Sequence, residues 1–86
     1  MTRAEVLAWL DTRRPVPPRA LQERLRSAVH DAPDALVAHL ARLGRELLDG
    51  VAARPAGGRE LALDLLAADA FATYAFEAQA EEIHET

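Results

Sequence analysis

Residues 59–83, RELALDLLAADAFATYAFEAQAEEI, contain no glycine or proline and hold three of the chain's four aromatic residues, Phe71, Tyr74 and Phe76. Alanine and leucine, the strongest helix formers, dominate the stretch, and summed over this length they predict one long helix. On a helical wheel, Leu61, Leu65, Ala68, Ala72, Phe76 and Ile83 fall within roughly 80° of one another. Leu63, Ala67, Ala70, Phe71, Tyr74 and Ala78 form a second apolar arc on another side of the same helix. A helix that is apolar on two sides has to be covered on two sides. The Leu61/Leu65/Phe76 stripe is expected to meet the rest of the chain. The second arc, led by Leu63, Phe71 and Tyr74, is then left as a surface for self-association.

Working back from that helix, Arg54-Pro55-Ala56-Gly57-Gly58 is a breaker. Before it, Leu36, Leu40, Leu43, Leu47 and Val51 advance in helical steps, and Val37, Gly44 and Leu48 widen the apolar arc. They predict a third helix over about 32–53, with Asp31 as its N-cap, Pro33 in its first turn and Asp34 facing its dipole. Gly44 costs about 1 kcal/mol relative to alanine in a helix interior. On the apolar arc, it marks a close approach by a neighbouring helix. A second helix is expected from Pro18 to about His30, with Leu21, Leu25, Ala28 and Val29 on one face. Arg13-Arg14-Pro15-Val16-Pro17-Pro18 is an extended connector. Thr2-Arg3-Ala4-Glu5 fits a capping box for a short first helix ending near Thr12. No strand signal or internal repeat is present. Eighty-six residues make one domain, 1–86. The expected architecture is all-α: a small antiparallel bundle of four helices, two short and two long, with the C-terminal helix central.

Charge is divided along the chain. Residues 1–59 carry ten Arg against seven acids, and residues 60–86 carry seven acids and no Arg, giving +3 and −7 and the net charge of −4. The two parts attract each other, which favours packing within the chain or between copies over a dedicated nucleic-acid surface. Absence of cysteine removes disulfides and thiolate metal sites. The charged N-terminus lacks a signal-peptide pattern, and no run of about 20 apolar residues spans a bilayer. A cytoplasmic protein without membrane contact is the expectation.

Chemistry-bearing residues are few. Glu81 and His84 stand at the Glu-x-x-His spacing that di-iron carboxylate bundles use to place two ligands on one metal. No second copy occurs in the chain, although a homodimer would supply one by symmetry. Asp69 lies beside Leu65 and Phe76 with Thr73 one turn on. Buried there, it would need a donor such as the Trp9 indole N–H, Thr73 or an arginine. His30, His39 and His84 share no metal spacing, and His39 is expected to be half-exposed. The only serine, Ser27, has no glycine elbow. Arg13, Arg14, Arg19, Arg24 and Arg26, within segment 13–26, offer either an anion-binding patch or a solvated face that neutralises the acidic helix. The reading that results is a binding or assembly module without a cofactor, partnered by itself or by another protein. An enzyme or metal protein anchored on Asp69 or Glu81/His84 is the alternative, and an arginine-mediated binder of nucleic acid or another anion is third.

Overall fold

The computed structural model describes residues 1–54 and 57–85, the side chain of residue 85 excepted. Pro55 and Ala56, the middle of the expected breaker, lie outside the described residues. Four helices follow one another, α1 (Arg3–Leu10), α2 (Arg19–Ala28), α3 (Leu36–Ala52) and α4 (Arg59–Glu85). No strand occurs among the described residues. At about 1.5 Å per residue, the 27 residues of α4 span roughly 40 Å and set the long axis of the 45 × 26 × 21 Å molecule. α4 packs mainly on α3 and secondarily on α2, so it is central, as expected.

Local chemistry sets the ends of these elements. The Thr2 hydroxyl accepts from the Glu5 amide at 3.2 Å, and the Glu5 carboxylate accepts from the Thr2 amide at 2.9 Å, completing the capping box. α3 begins at Leu36, later than the sequence suggests. Both residues that resemble its N-terminal signals are committed elsewhere: Asp31 accepts from the Arg3 amide at the start of α1, and Asp34 takes a two-point contact from Arg42. Side-chain oxygens of this kind compete with helix initiation rather than always serving it. α2 stops at Ala28, so His30 stands in the connector beyond it.

The core joins all four helices. Val6 of α1, Leu25 of α2, Leu40, Leu43 and Leu47 of α3, and Ala67, Ala68, Phe71 and Ala78 of α4 form one buried cluster, with Val29 beside them. α3 and α4 touch most closely at Gly44. A Cβ placed there would lie 3.3 Å from the Ala68 carbonyl oxygen and 3.4 Å from Phe71 Cβ, so the expected close approach is present. None of the described helices is long and apolar enough to cross a membrane.

Candidate functional site

The two apolar arcs of α4 have exchanged the places the sequence suggests. Phe71 is 0 % exposed, Ala67 and Ala78 are also buried, and Leu63, Ala70 and Tyr74 are half-buried. The arc expected to be an interface is therefore core, roofed by the short helices and α3. Most of the stripe expected to be core faces outward: Leu65 is 45 % exposed, Phe76 is 75 % exposed, and Ile83 and Ala72 are exposed with them, while Leu61 is half-buried and Ala68 alone of the stripe is buried, as expected. Both short helices lie on the Phe71 side, where Val6 of α1 and Leu25 of α2 join Phe71 in the buried cluster.

The outward stripe continues onto α3. Val37, Ala41, Gly44 and Leu48 of α3 face Ala68, Ala72, Ala75 and Phe76 of α4 across a shallow groove of about 380 Å³. Small residues form its floor and Val37, Leu48 and Phe76 its walls. The floor is smooth because Gly44 lets the two backbones approach so closely. Arg45 on α3 and Gln79 on α4 also border the groove, and on the helical wheel the exposed Asp69 falls at the α4 margin of the same face, outside the groove itself. Neither Arg45 nor Asp69 has an ion-pair partner among the described residues.

That exposure of Asp69 corrects the sequence reading. Asp69 and Thr73 are both in solvent, and the Trp9 indole N–H donates instead to the Glu81 carboxylate at 3.1 Å. Trp9 is half-buried in a different polar cluster. The Arg13 guanidinium lies 3.9 Å from the Trp9 ring centroid and donates to Glu77 at 3.2 Å and Glu81 at 2.9 Å. Tyr74 meets Trp9 edge-on with ring centroids 6.0 Å apart. Hydrogen bonding from Arg13, aided by the indole N–H, holds the Glu81 carboxyl below its ordinary range, while burial and then Glu77 push the Tyr74 phenol up.

Asp64, which follows Leu63 on α4, is the most buried acid among the described residues of that helix, at 4 % exposure. It accepts from Arg24 of α2 and, at 2.7 Å, from Arg54 just after α3, so one carboxylate ties three elements together. Arg24 first, then Arg54, depress its pKa against the opposing effect of burial. His39 is likewise fully buried instead of half-exposed. Its Nε2 donates to the His30 carbonyl at 2.8 Å, while its buried Nδ1 has no hydrogen-bond partner among the described residues. Both nitrogens of His30 face acceptors, the Asp31 carbonyl at 2.8 Å and Glu46 at 2.7 Å, and these raise its pKa in that order. Sequence periodicity carries no signal for either histidine contact, because both depend on how the α2–α3 connector folds over α3.

The remaining candidates separate. Glu81 is engaged by Arg13 and Trp9, His84 is exposed, and among the described residues no three His, Cys, Asp or Glu groups converge as a metal site. In the arginine segment, Arg13, Arg19, Arg24 and Arg26 each pair with a carboxylate of the chain, and Arg14 donates to the carbonyls of Asp11 and Arg13. A cleft of about 280 Å³ beside Arg14, Val16 and Tyr74 is mixed in character, and its carboxylate, Asp11, is paired with Arg26. The α3–α4 face thus stands apart as the extended apolar surface, suited to binding another apolar surface. No protein-family model, no curated protein and no solved structure matches this chain.

Proposed function

We propose that the protein is a helical assembly module that works by self-association, through the outward face of α3 and α4 rather than through the Phe71/Tyr74 arc. One observation carries the reading: Leu48, Leu65 and Phe76, each 45–75 % exposed, share a face with a groove whose floor is made of glycine and alanine. Burying a large apolar side chain fully is worth about 1.5–3 kcal/mol, so three in water represent a considerable unused driving force. Contiguous exposed patches of this kind mark association surfaces, whereas single exposed apolar residues carry no such meaning.

Size sets the expected strength. The 17 residues of α3 run about 25 Å, and two helices of about 10 Å diameter side by side give a face of roughly 500 Å² in projection. Stable interfaces bury about 800 Å² per partner, and smaller ones are weak or transient. A face of this size fits a weak or transient dimer, so the association is sought across a wide concentration range.

Sedimentation velocity from about 1 to 1000 μM should show the mass rising from 9.4 kDa, the mass of one chain, towards twice that value. Leu48→Glu, on the open face, should hold it at one chain without unfolding. A mass of one chain for the wild type throughout the series refutes the proposal.

A further inference from the structure

Resting on the self-association proposed above, we infer that the two copies pack about a two-fold axis parallel to α3 and α4. α3 of each copy lies over α4 of the other, and Arg45 of each is set against Asp69 of its partner. The inference comes from the charges on the rims of the groove. α3 and α4 are antiparallel neighbours, with Arg54 and Asp64 joined at one end and Gly44 seated against Ala68–Ala72 near the middle. Arg45 and Asp69 each lie next to that crossing, so they stand at the same height to within about 3 Å, two residues of helical rise. On the helical wheel both point outward from the core at the margin of the open face, Arg45 on the α3 edge and Asp69 on the α4 edge. The face therefore has apolar ground between one positive and one negative rim.

A two-fold contact must be self-complementary, and only two axes lying in the plane of this face bring two copies together face to face with the helices aligned. An axis across the helices at the Gly44 level lays α3 on α3 and opposes Arg45 to Arg45 and Asp69 to Asp69. An axis along the helices lays α3 on α4 and opposes Arg45 to Asp69 twice. In the second arrangement Ala41 of one copy meets Ala72 and Ala75 of the other, and Leu48 and Phe76 enter the facing grooves. The result is a four-helix bundle in which every neighbouring pair is antiparallel, the arrangement that short-connected bundles favour.

The test reverses each charge. Arg45 and Asp69 are exposed and unpaired within the described chain, so Arg45→Asp and Asp69→Arg should leave the Tm of the dilute protein within about 2–4 °C of the wild type. Each variant alone places like charges in contact twice per dimer, and its dissociation constant should rise at least about tenfold. Mixed in equal amounts, the two variants restore both pairs and should dimerise with each other as the wild type does, an association read by sedimentation with one variant fluorescently labelled. Restoration on mixing supports this register. A wild-type dimer that ignores both reversals, or variants that mixing does not rescue, overturns the register and leaves self-association standing. A wild type that stays monomeric overturns self-association, and the register with it.

Discussion

Two phenylalanines five residues apart on one helix provide a direct check on which side of α4 faces inward. Phe71 is 0 % exposed and Phe76 is 75 % exposed. Removing a fully buried ring leaves a cavity that close-packed neighbours only partly fill, and Phe→Ala in such a site costs about 3–5 kcal/mol. A domain of this size has a total stability of about 4–13 kcal/mol, so Phe71→Ala would populate the unfolded state heavily. Phe71→Leu keeps most of the volume and should cost about 1–2 kcal/mol, or about 4–16 °C in Tm. Phe76 in an isolated chain has roughly a quarter of its surface covered, worth about 0.4–0.8 kcal/mol. Alanine recovers most of that through its higher helix propensity, about 0.5 kcal/mol. Phe76→Ala should therefore leave the stability of the monomer within about 0.5 kcal/mol of the wild type.

Thermal unfolding followed by circular dichroism at 222 nm separates the two expectations, provided the protein is dilute enough to be monomeric. Around 1 μM, the expected Tm order is wild type ≈ Phe76→Ala > Phe71→Leu > Phe71→Ala. At several hundred micromolar, the wild type should gain Tm over Phe76→Ala, because a dimer that binds only the folded state stabilises it by mass action. If Phe76→Ala lowers the dilute Tm more than Phe71→Leu, the Phe76 stripe is the true core and the assignment of inner and outer faces fails.

Asp64 gives a pH-dependent expectation. Its pKa in the folded chain lies below the ordinary 3.8, chiefly through Arg24, so its contribution is present above about 3.8 and is lost as pH falls through the lower folded value. Asp64→Asn should cost about 1–3 kcal/mol at pH 7, with Arg24 and Arg54 at 30 % and 41 % side-chain exposure able to turn partly to water. Urea unfolding at pH 7 and pH 2.5 should show that deficit shrinking in acid, and an equal deficit at both values would remove the ion triad as its cause. Gly44→Leu should destabilise by about 2 kcal/mol or more even after a helix-propensity gain of about 1 kcal/mol, since its Cβ meets the Ala68 carbonyl and Phe71 Cβ, neither of which can swing aside. An unchanged melting curve would show that α3 and α4 are farther apart than described.

Much of this architecture is legible in the sequence, because helices and breakers are local. The capping box at Thr2/Glu5, the leucine ladder of α3, the close approach at Gly44 and the length of α4 all come from spacing and composition over a few turns. What fails is what depends on a partner far along the chain. Asp31 and Asp34 look like an N-terminal helix signal until Arg3 and Arg42 claim them. Asp69 looks like a buried acceptor because it sits beside Leu65 and Phe76, and that inference holds only if their stripe is inside. His39 becomes core because the α2–α3 connector crosses it, which no periodicity records. A helical wheel gives the width of an apolar arc and leaves open which of two arcs turns inward.

The choice between the arcs is made by their polar flanks, and the charge division along the chain shows how. Both arcs offer comparable apolar content, Phe71, Tyr74 and Leu63 on one and Phe76, Leu61, Leu65 and Ile83 on the other, so hydrophobic burial alone does not decide. The arc that turns inward is bracketed by acids. Asp64 borders it on one side and Glu77 and Glu81 on the other, and each receives an arginine from the basic part of the chain. Turning α4 by roughly 130° to bury the Phe76 stripe would carry Asp64 away from both its arginines and remove Glu77 and Glu81 from Arg13. Exposed pairs are worth only about 0–1 kcal/mol each. The two Asp64 pairs are more buried than the others, so losing them weighs more. The competing stripe is flanked by Asp69, which has no such partner among the described residues, so rotation would bring in a carboxylate with nothing to receive it. Electrostatics at the margins thus draws Arg13, Arg24 and Arg54 to one face of α4 and leaves the other, comparably apolar, exposed.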